Sequence, residues 1–143
     1  MRILGLDVGT KTIGIAVSDE MGWTGQGIGT IQRKNLRSDL QELAHYIKKY
    51  TVEKVAAGIP INMDGSIGTA AEQVFLFIEQ LKGTCDLPID TWDERLSTVE
   101  AERVLLEADM SRKKRKKVID TVAAAIILQG HLDYINVTGA PAL

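Results

Sequence analysis

The chain of 143 residues is poor in three things, namely cysteine, aromatic side chains and long apolar runs. Its one cysteine, Cys85, excludes an internal disulfide and a paired-thiolate zinc site, and fits a reducing compartment. The longest unbroken apolar run, Val122 to Leu128, falls far short of the roughly 20 residues a spanning helix needs. The amino terminus, Met1-Arg2-Ile3-Leu4-Gly5-Leu6-Asp7, meets an acid too soon to resemble a secretion signal, so a cytoplasmic protein is expected, without membrane contact. Aromatics make up only 5% of the residues, which gives no sign of base stacking and hides any sequence preference toward nucleic acid.

What is present describes one compact domain. Hydrophobic residues reach 45%, enough at this length to bury roughly 70% of the surface the unfolded chain exposes. The expected domain is 1–135, followed by a loose tail over 136–143. The formal net charge of -2 conceals one polarised stretch, Arg112-Lys113-Lys114-Arg115-Lys116-Lys117, set in an otherwise acidic chain. Such a run is either a solvated basic loop or a local grip on a phosphate backbone.

Periodicity sets the elements. Leu4, Leu6 and Val8 alternate with Ile3, Gly5 and Asp7, which predicts a strand carrying an acid in mid-course. A turn at Gly9-Thr10-Lys11 leads to a second strand, Ile13 to Ser18, and a glycine-broken third spans about Trp23 to Gln32. Leu36, Leu40, Leu43, Ala44 and Ile47 then recur at helical spacing. Beyond them the pattern alternates: a strand over 54–59, a helix with Ala70, Ala71, Val74, Phe77, Ile78 and Leu81 on one side and Gly83 to close it, and a short strand over 89–92. Ser97-Thr98-Val99-Glu100 reads as a capping box for a helix through Ala108. A last helix, about 117–132, is apolar nearly all round and so is expected deep in the core. Meandering strands first and strand-helix alternation second predict an α/β fold, a mixed five-stranded sheet with helices on its faces. The order of elements is that of ribonuclease H-like domains.

Three acids stand where acids are disfavoured: Asp7 inside an apolar strand, Asp93 or Glu94 at the end of the last strand, and Asp120 in the apolar helix. A buried carboxylate costs several kcal/mol unless it is paired or binds a cation. Each has a local partner available, such as turn amides, Arg95 or Lys117, yet convergence at one end of a sheet would give them a shared one. Carboxylates without a nearby histidine or cysteine suit Mg2+ or Mn2+ rather than zinc. His45 and His131 lack an acid or nucleophile at a telling spacing and read as structural or surface residues.

Two segments offer backbone amides to an anion. Gly58 ends a strand, and Gly65, Ser66 and Gly68 lead into the helix near Thr69, although an ordinary glycine-rich turn would look the same. Lys11, after the first turn, is a further candidate for phosphate.

Four blocks in order resemble the YqgF (RuvX) family of Holliday junction resolvases and pre-16S ribosomal RNA nucleases, of ribonuclease H-like fold. They are Gly5-Leu6-Asp7-Val8-Gly9-Thr10-Lys11 through Ser18-Asp19, Gly58-Ile59-Pro60 with Asp64-Gly65-Ser66 and Gly68, Trp92-Asp93-Glu94-Arg95-Leu96-Ser97-Thr98, and Lys114, Lys117, Asp120, Ala123, Ala124 and Ile127-Leu128-Gln129. The resemblance spans nearly the whole chain and implies metal-binding, catalytic acids at Asp7, Glu94 and Asp120. One departure is Thr12, where the family commonly has arginine.

The expected function is a Mg2+- or Mn2+-dependent endonuclease on structured nucleic acid. Maturation of the 5' end of precursor 16S ribosomal RNA is preferred over resolution of branched DNA, by a monomer or a homodimer. Lys11, Arg95, Arg112, Lys113, Lys114, Arg115, Lys116 and Lys117 would hold the backbone. Two readings of other classes remain: a nucleotide-binding module, since Leu6 to Thr10 with Gly14 resembles the first phosphate loop of actin-like and sugar-kinase domains, and a non-catalytic RNA-binding module indifferent to the three acids.

Overall fold

The computed structural model describes residues 1–93 and 112–138, with side chains left aside over 112–120 and 137–138. Five strands form one sheet: β1 (Ile3–Val8), β2 (Thr12–Ser18), β3 (Gly25–Gln32), β4 (Lys54–Ile59) and β5 (Ile89–Asp93), in the order β3-β2-β1-β4-β5. The hairpin pairs β1 with β2 and β2 with β3 antiparallel, while β4 joins β1 and β5 joins β4 in parallel. The mixed sheet is thus antiparallel at one edge and parallel at the other, as the alternation of patterns predicts. A shift of register between Ile15 and Ala16 gives β3 one extra residue in its glycine-rich middle.

Helices α1 (Leu36–Lys49) and α2 (Thr69–Lys82) cover one face, and α3 (Arg112–Thr138) lies on the other. Asn35 starts α1, its side chain accepting from the Ser38 amide at 2.8 Å. Gly68 stands at the start of α2 and, being glycine, offers no side-chain cap; the Ser66 hydroxyl, two residues earlier, donates to Asp64 Oδ1. Gly83 ends α2 as expected, though in the right-handed region rather than the left-handed one.

The core has two unequal parts. Leu4, Leu6, Val8, Ile13, Ile15 and Val17 meet Leu40, Leu43, Val74, Phe77, Ile78 and Leu81 on the α1 and α2 side. On the other side Ile3, Ala16 and Ala56 meet Ala124, Leu128 and Leu132 of α3. A β-carbon on Gly5 would stand 2.7 Å from the Leu128 Cβ and 3.1 Å from the Ala124 carbonyl oxygen, so α3 rests almost directly on β1.

Three expectations for the last helix change. It begins at Arg112, so the basic run has helical backbone and is not a loop; lysine and arginine are good helix formers. It also lies over the sheet rather than sunk in the core: Ala123, Ala124, Ile127, Leu128, His131 and Leu132 are buried, whereas Val122, Ala125 and Ile126 are half-buried beside Gly25 and Gly27. At its far end, Asn136 to Thr138 are helical where a loose tail is expected, and Asn136 Nδ2 donates to the Gly22 carbonyl at 3.0 Å. The helix expected after the capping box at 97–100 lies outside the described residues. Among the described residues no helix is long and apolar enough to cross a membrane.

Candidate active site

Asp7 owes its place to the period of two in β1. Leu4, Leu6 and Val8 point into the large core, so Ile3, Gly5 and Asp7 point to the α3 side. In the antiparallel register Asp7 opposes Gly14, and Gly14 opposes Thr30. In the parallel register Leu6 opposes Ala57, which brings Gly58 level with Asp7, and Gly58 opposes Trp92. One row across the sheet therefore reads Thr30, Gly14, Asp7, Gly58, Trp92. The half-buried carboxylate stands between two residues without side chains. Glycine inside a strand weakens it and often marks a place where a ligand or another backbone comes close. Gly58, expected at the end of its strand as a candidate for phosphate, lies in this row near the end of β4.

Helix α3 crosses the same row. Thr121 Oγ1 and Thr30 Oγ1 are 2.8 Å apart, and the Thr121 hydroxyl also donates to the Gly29 carbonyl at 3.3 Å. Position 120 is the next residue of the helix, one turn before Ala124, which lies over Gly5. The helix runs antiparallel to β1: Leu132 and Leu128 lie toward Ile3, and Thr121 lies toward the level of Asp7.

Asp93 opposes Ile59, whose side chain belongs to the large core, so Asp93 lies on the face away from Asp7. Glu94 and Arg95 lie outside the described residues, as do the side chains of Asp120 and of Arg112 to Lys117. Among the described residues no three acids, histidines or cysteines gather as a metal centre. Asp7 supplies a hard oxygen donor with glycine on either side, a setting that fits a hard cation.

Lys11 is exposed in the turn after β1. Gly65, in the left-handed region at φ 87°, shapes the loop before α2. There Ser66 N and Oγ both donate to Asp64 Oδ1, which holds the Asp64 carboxyl below its usual range, the hydroxyl bond being the larger cause.

Two polar groups escape the sequence reading. Asp39 is buried on α1 and accepts from Arg33 Nε at 3.0 Å and from the Lys34 amide at 3.1 Å. The signal was present, since Asp39 falls one turn from both Leu36 and Leu43 on the apolar stripe. Toward the other end of the α3 face, Lys54 Nζ lies 2.5 Å from Asp90 Oδ2, and the buried His131 Nε2 lies 3.6 Å from the same oxygen. Neither ring nitrogen of His131 has a hydrogen-bond partner among the described residues, and Asp90 Oδ2 is ion-paired without hydrogen-bond geometry.

Comparison with known proteins now bears on this arrangement. The sequence model of the RuvX family, described as Holliday junction resolvase, matches residues 1–134. The chain belongs to the RuvX family. Among its relatives, a protein of Desulforamulus reducens is 58% identical over 133 residues, covering 93% of this chain and 97% of the relative. Another, from Bacillus subtilis, is 53% identical over 138 residues, covering 95% of this chain and all of the relative. Both carry the name "Putative pre-16S rRNA nuclease". The RuvX chain also shares its fold with Thermus thermophilus RuvC bound to a Holliday junction substrate, at TM-score 0.62 and 13% identity over the whole of both chains. Fowlpox virus resolvase in complex with junction DNA gives TM-score 0.59 at 13% identity, covering 94% of this chain and 99% of that one. At such low identity the likeness is one of fold, the ribonuclease H-like fold that the order of elements predicts.

Proposed function

We propose that this RuvX-family chain is a metal-dependent endonuclease that hydrolyses phosphodiester bonds in structured nucleic acid, with the 5' end of precursor 16S ribosomal RNA as its preferred substrate. The observation that carries the reading is the row through Asp7: its in-row neighbours Gly14 and Gly58 carry no side chains, and the Thr30–Thr121 contact sets α3 against the same row, which supports a role for the adjoining Asp120. Asp93 lies on the opposite face, which supports Glu94 as the acid of that pair. Asp7, Glu94 and Asp120 would hold Mg2+ or Mn2+ through oxygen alone. When bound, the metal supplies the charge that activates a water and stabilises the leaving oxygen.

The chain's own part is to place the phosphate. Six cations follow one another in the first turns of α3, where the helix dipole is positive and the first turn itself holds no acid. That end repels itself unless an anion lies against it, so Arg112 to Lys117 would grip the backbone, with Lys11 and Arg95 nearer the scissile bond and Gly65, Ser66 and Gly68 as an accessory anion seat. The names of the relatives favour ribosomal RNA precursor over branched DNA, and the reading holds for a monomer or a homodimer in the cytoplasm.

The experiment is cleavage, in Mg2+ and then Mn2+, of a labelled panel of ribosomal RNA precursor, single-stranded RNA and a four-way DNA junction. Asp7→Asn and Asp120→Asn are each expected to slow cleavage by about 100-fold or more, the scale of losing charge stabilisation at a reacting phosphate, while binding persists. Wild-type cutting that neither substitution alters would end the carboxylate assignment.

A further inference from the structure

The turn that joins β1 to β2 begins two residues after Asp7 and carries Lys11. Its own hydrogen bond, from the Gly9 amide to the Thr12 carbonyl at 2.9 Å, closes it. A single residue of a different strand-helix connection holds it from outside. Arg33 donates through Nη1 to the Gly9 carbonyl at 2.8 Å, and its backbone amide donates to the Lys11 carbonyl at 2.9 Å. Both ends of the three-residue turn are thus tied to one arginine.

The aim of that arginine is itself fixed. Nε is bound to Asp39 Oδ2 at 3.0 Å, the Asp39 side chain is only 2% exposed, and Asp39 Oδ1 takes the Lys34 amide. The guanidinium carbon lies 5.2 Å from the Phe77 ring centroid, so α2 backs one of its faces. A guanidinium is a rigid planar fork. With one arm held by Asp39 and one face held by Phe77, the direction of the arm toward Gly9 is no longer free. This uses a buried carboxylate on α1 and an aromatic on α2 to define a backbone carbonyl beside the candidate site.

We propose that Arg33 is a positioning residue for the nuclease site: through the Gly9 carbonyl its side chain sets where the Asp7 carboxylate and the Lys11 ammonium stand, while its backbone amide holds the Lys11 carbonyl as any residue there would, and Asp39 and Phe77 hold the guanidinium in aim. The proposal rests on the reading of Asp7 as a metal ligand. A purely structural Arg33 would tie α1 to α2 and leave the turn indifferent to its loss. Displacement of a reacting group by about 1 Å can cost on the order of 100-fold in rate, so a turn held at both ends matters more for turnover than for binding.

The test compares Arg33→Met, Arg33→Lys and, as a destabilised control in the large core toward the start of β1 and so away from the turn, Val52→Ala. Three quantities are read: amide hydrogen exchange at Gly9 against Leu6 and Ile15, Mn2+ binding from the electron spin resonance of free ion, and kcat separately from KM. Arg33→Met is expected to speed Gly9 exchange by about 10-fold or more beyond the change at Leu6 and Ile15, to weaken Mn2+ binding several-fold, and to lower kcat by about 10- to 100-fold with KM nearly unchanged. Arg33→Lys keeps a charge for Asp39 but lacks the planar fork, so it regains stability without restoring Gly9 protection or kcat. The proposal is overturned if Arg33→Met alters these three quantities no more than Val52→Ala does, or if Arg33→Lys restores them all. Wild-type protein that neither binds Mn2+ nor cuts would sink the nuclease reading itself, and Gly9 exchange would still decide whether Arg33 holds the turn.

Discussion

The two faces of the sheet are built on opposite principles. Toward α1 and α2 the strands present Leu4, Leu6, Val8, Ile13, Ile15 and Val17, and the layer is held by volume. Toward α3 they present Gly5, Gly14, Ala16, Gly25, Gly27, Ala56 and Gly58, and the layer is held by closeness. A face of small residues lets a helix backbone approach closely. Asp7 projects there. The proposed site thus sits on the face that contributes less buried volume.

The contrast can be broken by exchanging the two kinds of defect. Leu6→Ala should lose about 2–5 kcal/mol, because it deletes a fully buried side chain and leaves a cavity. Its neighbour on the other face should fail in the opposite sense: Gly5→Ala adds a methyl group where Leu128 Cβ already stands 2.7 Å away, costing about 1–3 kcal/mol by overpacking. Urea unfolding of both variants checks the pair. A neutral Gly5→Ala would mean that α3 can lift from β1, and the small face would then be an accident of composition.

A second difference is electrostatic. The small face holds Lys54, Asp90 and His131 toward the start of β4 and β5, far from the level of Asp7. Burial pushes the His131 pKa below its ordinary 6.5, the charge of Lys54 pushes the same way, and Asp90 offsets part of this. The unfolded chain therefore takes up the proton first as pH falls. Stability from this group is complete above about 6.5, declines below it, and reaches its full loss once the pH has passed through the depressed folded value. A urea midpoint measured along that range should fall more in wild type than in His131→Gln. Trp92, whose ring centroid lies 6.1 Å from that of His131, offers a fluorescence signal for the same event. Equal declines in both proteins would place the titration elsewhere.

How much of this was legible beforehand follows from the same contrast. Strands β1, β2 and β4 are written in alternating apolar residues with few competing patterns, and their bounds follow from periodicity to within a residue, while the central place of β1 follows from the likeness to the ribonuclease H-like order. The small face was not read as a face, because glycine and alanine carry no periodic signal; only the register that aligns Gly14 and Gly58 with Asp7 gives them meaning. The search for acids in apolar surroundings found Asp7 by an argument that applies equally to Asp39, whose need for a partner is met by Arg33. An acid out of place thus signals a partner, and sequence alone does not say whether that partner is arginine or metal. The helical start of α3 was missed because a run of like charges reads as a solvated loop, although each residue in it favours helix.

The smallest effect expected concerns how the helix is registered on the row. Thr30 and Thr121 share one hydrogen bond at 2.8 Å, partly buried, between the edge strand and α3. Thr121→Val keeps the shape of the side chain and removes the hydroxyl, which should cost about 1 kcal/mol. If the bond accounts for that loss, Thr30→Val and the double variant should each cost about the same as Thr121→Val alone, giving a coupling of about 1 kcal/mol in a double-mutant cycle. Additive losses would mean that the hydroxyls act separately, Thr121 on the Gly29 carbonyl. The helix would then be placed over Asp7 by the close fit of Gly27 and Thr121, where an added β-carbon would come within 2.4 Å of the Thr121 methyl, rather than by polar pairing.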